Sequence, residues 1–126
     1  MGTIDIMNLS FSYQDEKQAY PVLDGLNLCI RDGEFVCIIG HSGCGKSTLL
    51  SILAGLLPPS LGIVTIDGQK MIGPSTERAV VFQHYSLFSW MSAHQNVVFG
   101  IRQAQKEIKK HNAHKIADDF LYKVGM

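Results

Sequence analysis

Residues 38–48, IIGHSGCGKST, constrain this chain more than any other stretch. From Gly40 to Ser47 they meet the pattern G-x-x-x-x-G-K-[ST]. The apolar run Phe35 to Ile39 lies immediately before it and reads as a buried strand. After it, Leu49, Leu50, Ile52, Leu53 and Leu56 recur at helix-compatible spacing, which Gly55 weakens and Pro58 and Pro59 end. The loop therefore joins a strand to the start of a helix.

That junction suits phosphate. A helix N-terminus leaves main-chain N–H groups without intrahelical partners and carries partial positive charge, so anions bind there. Glycines at 40, 43 and 45 let the backbone approach phosphate oxygens closely. In such a loop Lys46 reaches the β- and γ-phosphates and the Ser47 hydroxyl ligates Mg²⁺. A glycine-rich turn holding no ligand is the competing reading, and the complete motif in its strand-to-helix setting outweighs it.

The chain has 126 residues, 46% of them hydrophobic, which suits one domain burying about two thirds of its unfolded surface. Eleven basic residues balance eleven acidic ones, so no general attraction for nucleic acid or anionic lipid is expected. The three cysteines, Cys29, Cys37 and Cys44, lack C-x-x-C spacing, and their odd number suits a reducing compartment. Cys29 and Cys37 read as core residues. Cys44 serves the loop through its backbone. No apolar run is long enough to span a bilayer, and the N-terminus lacks the basic and apolar regions of a signal peptide, so a soluble chain is expected.

Alternation of Ile4, Ile6, Leu9, Phe11 and Tyr13 predicts a first strand, closed by the polar loop QDEKQA. Leu26, Leu28 and Ile30 alternate before the turn Asp32-Gly33, which predicts an antiparallel pair. Further strands are expected at 63–66, before the Asp67-Gly68 turn, and at 78–83. Beyond Gln83 the chain is aromatic-rich and then helical, with one helical pattern from Ala104 to Val124 that puts His111 and His114 on its polar face.

The loop alone admits kinases, GTPases and ATPases. Residues 22–69, VLDGLNLCIRDGEFVCIIGHSGCGKSTLLSILAGLLPPSLGIVTIDGQ, resemble the first part of the nucleotide-binding domain of ABC transporters nearly end to end. ERAVVFQHYSLFSWMSAHQNVVFGI resembles the family's next segment, with Gln83 at its Q-loop position. The resemblance covers essentially the whole chain and implies an α/β, P-loop NTPase fold of ABC type, present in part. That fold comprises an antiparallel β region, the phosphate-loop strand and helix, and the start of the helical subdomain. It implies one incomplete domain over 1–126, with an ATP-binding core part at 1–83 and the Q-loop and start of the helical subdomain at 84–126.

Site residues follow from the resemblance position by position. Gly40, His41, Ser42, Gly43, Cys44, Gly45, Lys46, Ser47 and Thr48 form the phosphate site for ATP. Tyr13 stands where the family has an aromatic that stacks on adenine, with Tyr20 a weaker candidate. Ser47 and Gln83 face Mg²⁺, and Lys46 and Gln83 are the candidate catalytic residues. The LFSW run after the Q-loop is most similar to importers of the nitrate, sulfonate, taurine and bicarbonate group. Phe88, Trp90 and Met91 stand either at a surface that receives a permease or inside the domain. Gln95 departs from the family, which commonly has Glu there.

Implied partners are an integral membrane permease, a second ATP-binding subunit and, indirectly, a substrate-binding protein, with no nucleic acid. The implied location is the cytoplasmic face of the membrane, reached through the permease. The family's signature LSGGQ, its strand ending in Asp-Glu and its switch histidine do not occur: Asp118-Asp119 lies in a helical pattern and Asp15-Glu16 in a polar loop. Negligible hydrolysis by this chain alone is therefore expected, together with an unpaired apolar strand edge and poor folding in isolation. A nucleotide-binding module without turnover, decayed or completed by a separate part, is the alternative. A relative acting on DNA or ribosomes is disfavoured by the neutral charge.

Overall fold

The computed structural model describes residues 2–16, 18–83 and 86–126. Lys17 in the first polar loop, and His84 and Tyr85 after Gln83, lie outside the described residues. Two compact units form, Met1–Val80 and Val81–Met126.

The first unit is built on an antiparallel sheet of order β2-β1-β3-β4. Its strands are β1 (Ile4–Gln14), β2 (Ala19–Ile30), β3 (Leu61–Ile66) and β4 (Gln69–Lys70). Ile6, Leu9, Phe11 and Val64 share one face, and helix α1 (Lys46–Leu53) adds Leu49 and Ile52 to a single buried cluster. Leu9 and Phe11 join Ile6 only because a register shift interrupts the period-2 alternation of β1. β1 is central: Ile6 pairs with Leu28 on one side and with Val64 on the other.

One irregularity shapes β1. At Asn8 the backbone turns to φ 48° and the register slips, so a bulge interrupts both ladders. Gly62 of β3 answers it: at φ 87° a side chain is disfavoured, and a Cβ would lie 2.3 Å from the Asn8 carbonyl oxygen. The bulge and the glycine fit each other and no larger residue fits between them.

Four expectations need correction, the last of them in the second unit. Residues 35–39 form no strand, and neither do residues 78–83. Phe35 is 94% exposed and Val81 99%. A strand exists only where a neighbour completes its ladder, and among the described residues nothing pairs with either run. Cys29 and Cys37 are exposed rather than core residues. A hydrogen bond with the Asp5 side chain holds the Cys29 thiol above its usual pKa.

The second unit contains α2 (Ala93–Ala104) and α3 (Lys110–Lys123), so the pattern expected as one helix from Ala104 is broken at 105–109. The physical reason is burial. Val98 packs against Ala113 and Ala117, both fully buried, with Ile108 against the same cluster. A straight helix would separate Val98 from Ala113 by about 22 Å, at 1.5 Å per residue. Reversal at the turn brings the apolar faces together.

Gln95 finds its role in this unit. The Ser92 hydroxyl accepts from the Gln95 main-chain N–H at 3.2 Å, and Gln95 Oε1 accepts from the Ser92 N–H at 2.8 Å. This is a capping box, which Gln closes as well as Glu does.

Candidate nucleotide site

Gly45 caps α1 at φ 94° with no side-chain cap, leaving the helix's first N–H groups open to an anion. It is also tightly enclosed: a Cβ there would meet Val22 and Leu23 of β2 at 3.0 Å. Both facts require glycine, and they press the loop against the sheet.

Lys46 folds back across the loop. Its ammonium donates to the carbonyls of Gly40 at 2.8 Å and His41 at 2.7 Å, and lies 3.5 Å from Cys44 Sγ. The His41 ring Nδ1 lies 2.8 Å from the Ser42 carbonyl, within the same turn. The loop therefore holds its own shape, with one positive charge at its mouth. His41, Ser42, Gly43 and Ser47 are exposed, while Cys44 and Lys46 are partly buried.

Tyr13 reaches this loop from the end of β1. Its hydroxyl lies 3.3 Å from that of Thr48, which is buried in the first turn of α1. A hollow of about 270 Å³ runs between them, lined by Tyr13, Val22, Gly43, Gly45, Lys46, Ser47 and Thr48. The structure thus brings Tyr13, Gly43, Gly45, Lys46, Ser47 and Thr48 together. Tyr20 pairs directly with Tyr13 across the hairpin but does not line the hollow. Gln83 is exposed at a bend in the second unit, and every lining residue of the hollow comes from the first.

Val22 was missed by sequence reading. Its role comes from the hairpin register, in which Tyr13 opposite Tyr20 makes Val22 a diagonal neighbour. Asn96 was missed as well. It accepts from Phe88 N at 2.8 Å and donates to the carbonyls of Phe88, Met91 and Ser92 at 3.0 to 3.2 Å. Those bonds brace a turn in which the Phe88 ring packs on Trp90 and Phe99, with Trp90 76% exposed. A larger hollow of about 650 Å³ lies on this unit, beside Trp90, Met91, Phe99, Arg102, Lys106 and His114, but it has no phosphate-type loop.

The sequence model of the ABC transporter family matches residues 23–126. The chain belongs to the ABC transporter family. Across 96% of its length this ABC chain is 41% identical to the bicarbonate transport ATP-binding protein CmpD of Synechococcus elongatus, of which it covers 44%. It is 46% identical over 99 residues to the nitrate import ATP-binding protein NrtD of Synechocystis, covering 79% of this chain and 37% of that one. Among solved structures it is similar to the ATP-binding cassette MJ0796 in a dimeric, post-hydrolysis state bound to ADP and Pi. That match has a TM-score of 0.81 and 29% identity, over 94% of this chain and 56% of that one. The ABC domain described here therefore spans less than half the length of the curated relatives it matches.

The residues present fit a nucleotide with its metal. Gly45, where a Cβ would crowd Val22 and Leu23, lines the hollow beside Lys46, and the Ser47 hydroxyl is an exposed hard oxygen donor on the same hollow. Among the described residues no group of three His, Cys, Asp or Glu side chains could hold a metal ion, so a cation here would draw on Ser47, phosphate oxygens and water. Among the described residues no helix is long and apolar enough to cross a membrane.

Proposed function

We propose that this chain forms the nucleotide-gripping face of an importer ATPase that binds MgATP and couples it to uptake of a small oxyanion such as bicarbonate or nitrate. The observation that carries this reading is the hollow joining Tyr13 to Lys46, Ser47 and the open N-terminus of α1. Tyr13 offers its ring to adenine, the loop N–H groups and Lys46 take the phosphates, and Ser47 ligates Mg²⁺. Mg²⁺ held there would supply positive charge that offsets the negative charge of the phosphates. Gln83 is assigned to the metal and to coupling on the strength of the family resemblance.

The relatives' bicarbonate and nitrate support this solute class, and the partners proposed are a permease and a second ATP-binding subunit, at the cytoplasmic side of the membrane. The second unit is the start of the helical subdomain, and its exposed Trp90 supports a permease-facing role for the aromatic turn. A substrate-binding protein acts further away, through the permease.

A second reading, nucleotide binding without turnover, has one observation in its favour. The hollow's lining contains no carboxylate, hence no candidate to polarise an attacking water. The test is Lys46→Ala in the complete assembly with its permease. On the first reading, ATP binding falls at least tenfold and ATPase activity is lost; unchanged turnover would sink it. Wild-type binding with no turnover in that assembly selects the second.

A further inference from the structure

Building on the nucleotide-site reading, we infer that Thr48 is a positioning residue for Tyr13, holding the base platform in register with the phosphate loop through a hydroxyl-to-hydroxyl bond. Thr48 is 8% exposed, and its Oγ1 lies 3.3 Å from the Tyr13 hydroxyl. A buried hydroxyl needs a partner, and Tyr13 supplies one. The Phe11 ring meets the Tyr13 ring edge-on, with centroids 4.9 Å apart and planes at 85°.

Tyrosine has two side-chain torsions, and these two contacts act at opposite parts of it. Phe11, itself buried, fixes the body of the ring from within β1, and Thr48 fixes its far end from α1. Tyr13 nevertheless stays 47% exposed, so surface remains for a planar base. A ring already held in place loses less freedom when a base stacks on it, and affinity rises accordingly. Phenylalanine would keep the stacking surface and lose the anchor. The hydroxyl of Tyr13 is therefore a determinant of nucleotide affinity in its own right, and it acts only through Thr48.

The inference is tested by a double-mutant cycle on the full chain. Binding of MgATP and of inorganic tripolyphosphate, which has no base, is measured for the parent, Tyr13→Phe, Thr48→Val, Thr48→Ser and the Tyr13→Phe combination with each Thr48 variant. At 3.3 Å the bond is long, so Tyr13→Phe should weaken MgATP by about threefold. That loss should vanish in the Thr48→Val background and persist in Thr48→Ser, which keeps the hydroxyl. Tripolyphosphate affinity should not respond to Tyr13→Phe. An equal loss in all three backgrounds, or an equal loss for tripolyphosphate, overturns the positioning role. Circular dichroism checks that each variant is folded, and Thr48→Ala, which also lacks the hydroxyl, replaces Thr48→Val if the latter is not. Failure of the folded parent to bind MgATP overturns the nucleotide-site reading itself.

Discussion

β1 and residues 35–39 are both apolar runs that read as strands, and they end in opposite states. β1 has a hydrogen-bonded neighbour on each side and buries Ile6, Leu9 and Phe11 to 8% exposure or less. The second run has no neighbour among the described residues, and its Phe35 and Ile39 are more than 90% exposed. Apolar character supplies the drive to bury, but a flanking chain decides whether burial happens.

The largest effect that could break this contrast lies in β1. Leu9→Ala removes a fully buried side chain from the cluster shared with Ile52 and should cost about 3–5 kcal/mol in urea unfolding. A loss below 1 kcal/mol would mean that the sheet face is not the core. Next comes the fit between the bulge and β3. Gly62→Ala drives a Cβ against the Asn8 carbonyl and should cost roughly 2–3 kcal/mol. A neutral result would show that the bulge relaxes freely. Smallest of all, Phe35→Ser should change stability by less than about 0.5 kcal/mol, because the side chain is in solvent already. It should lower self-association in size-exclusion chromatography, since an exposed apolar run invites pairing with another chain. A Phe35→Ser loss comparable to that of Leu9→Ala would erase the distinction between the two runs.

The same contrast explains what the sequence made legible. β1, β2 and β3 each carry alternation and end at a turn signal, so pattern alone indicated them, even though β3 pairs with the distant β1, Ile66 opposite Ile4. Residues 78–83 carry the apolar pattern and fail as a strand for the same reason as 35–39: ladder partners are not encoded in a run's own residues. The break between α2 and α3 was hidden differently. Residues 105–109, QKEIK, contain neither Gly nor Pro, and the turn is imposed by Ala113 and Ala117 returning to Val98.

In the candidate site, the phosphate loop was legible because its conformation is local and its glycines announce it. Tyr13 was legible only through family resemblance. Its link to Thr48, 35 positions away, depends on how β1 lies against α1, which no local pattern reports. Val22 was overlooked because its role arises from the hairpin register.

Lys46, bonded to the carbonyls of Gly40 and His41, gives the loop an internal stand-in for its ligand. On the proposed reading, nucleotide arrival would exchange these carbonyl acceptors on the ammonium group for phosphate oxygens. Such an exchange would free the two loop carbonyls, so the loop's own backbone would compete with the ligand for the same cation.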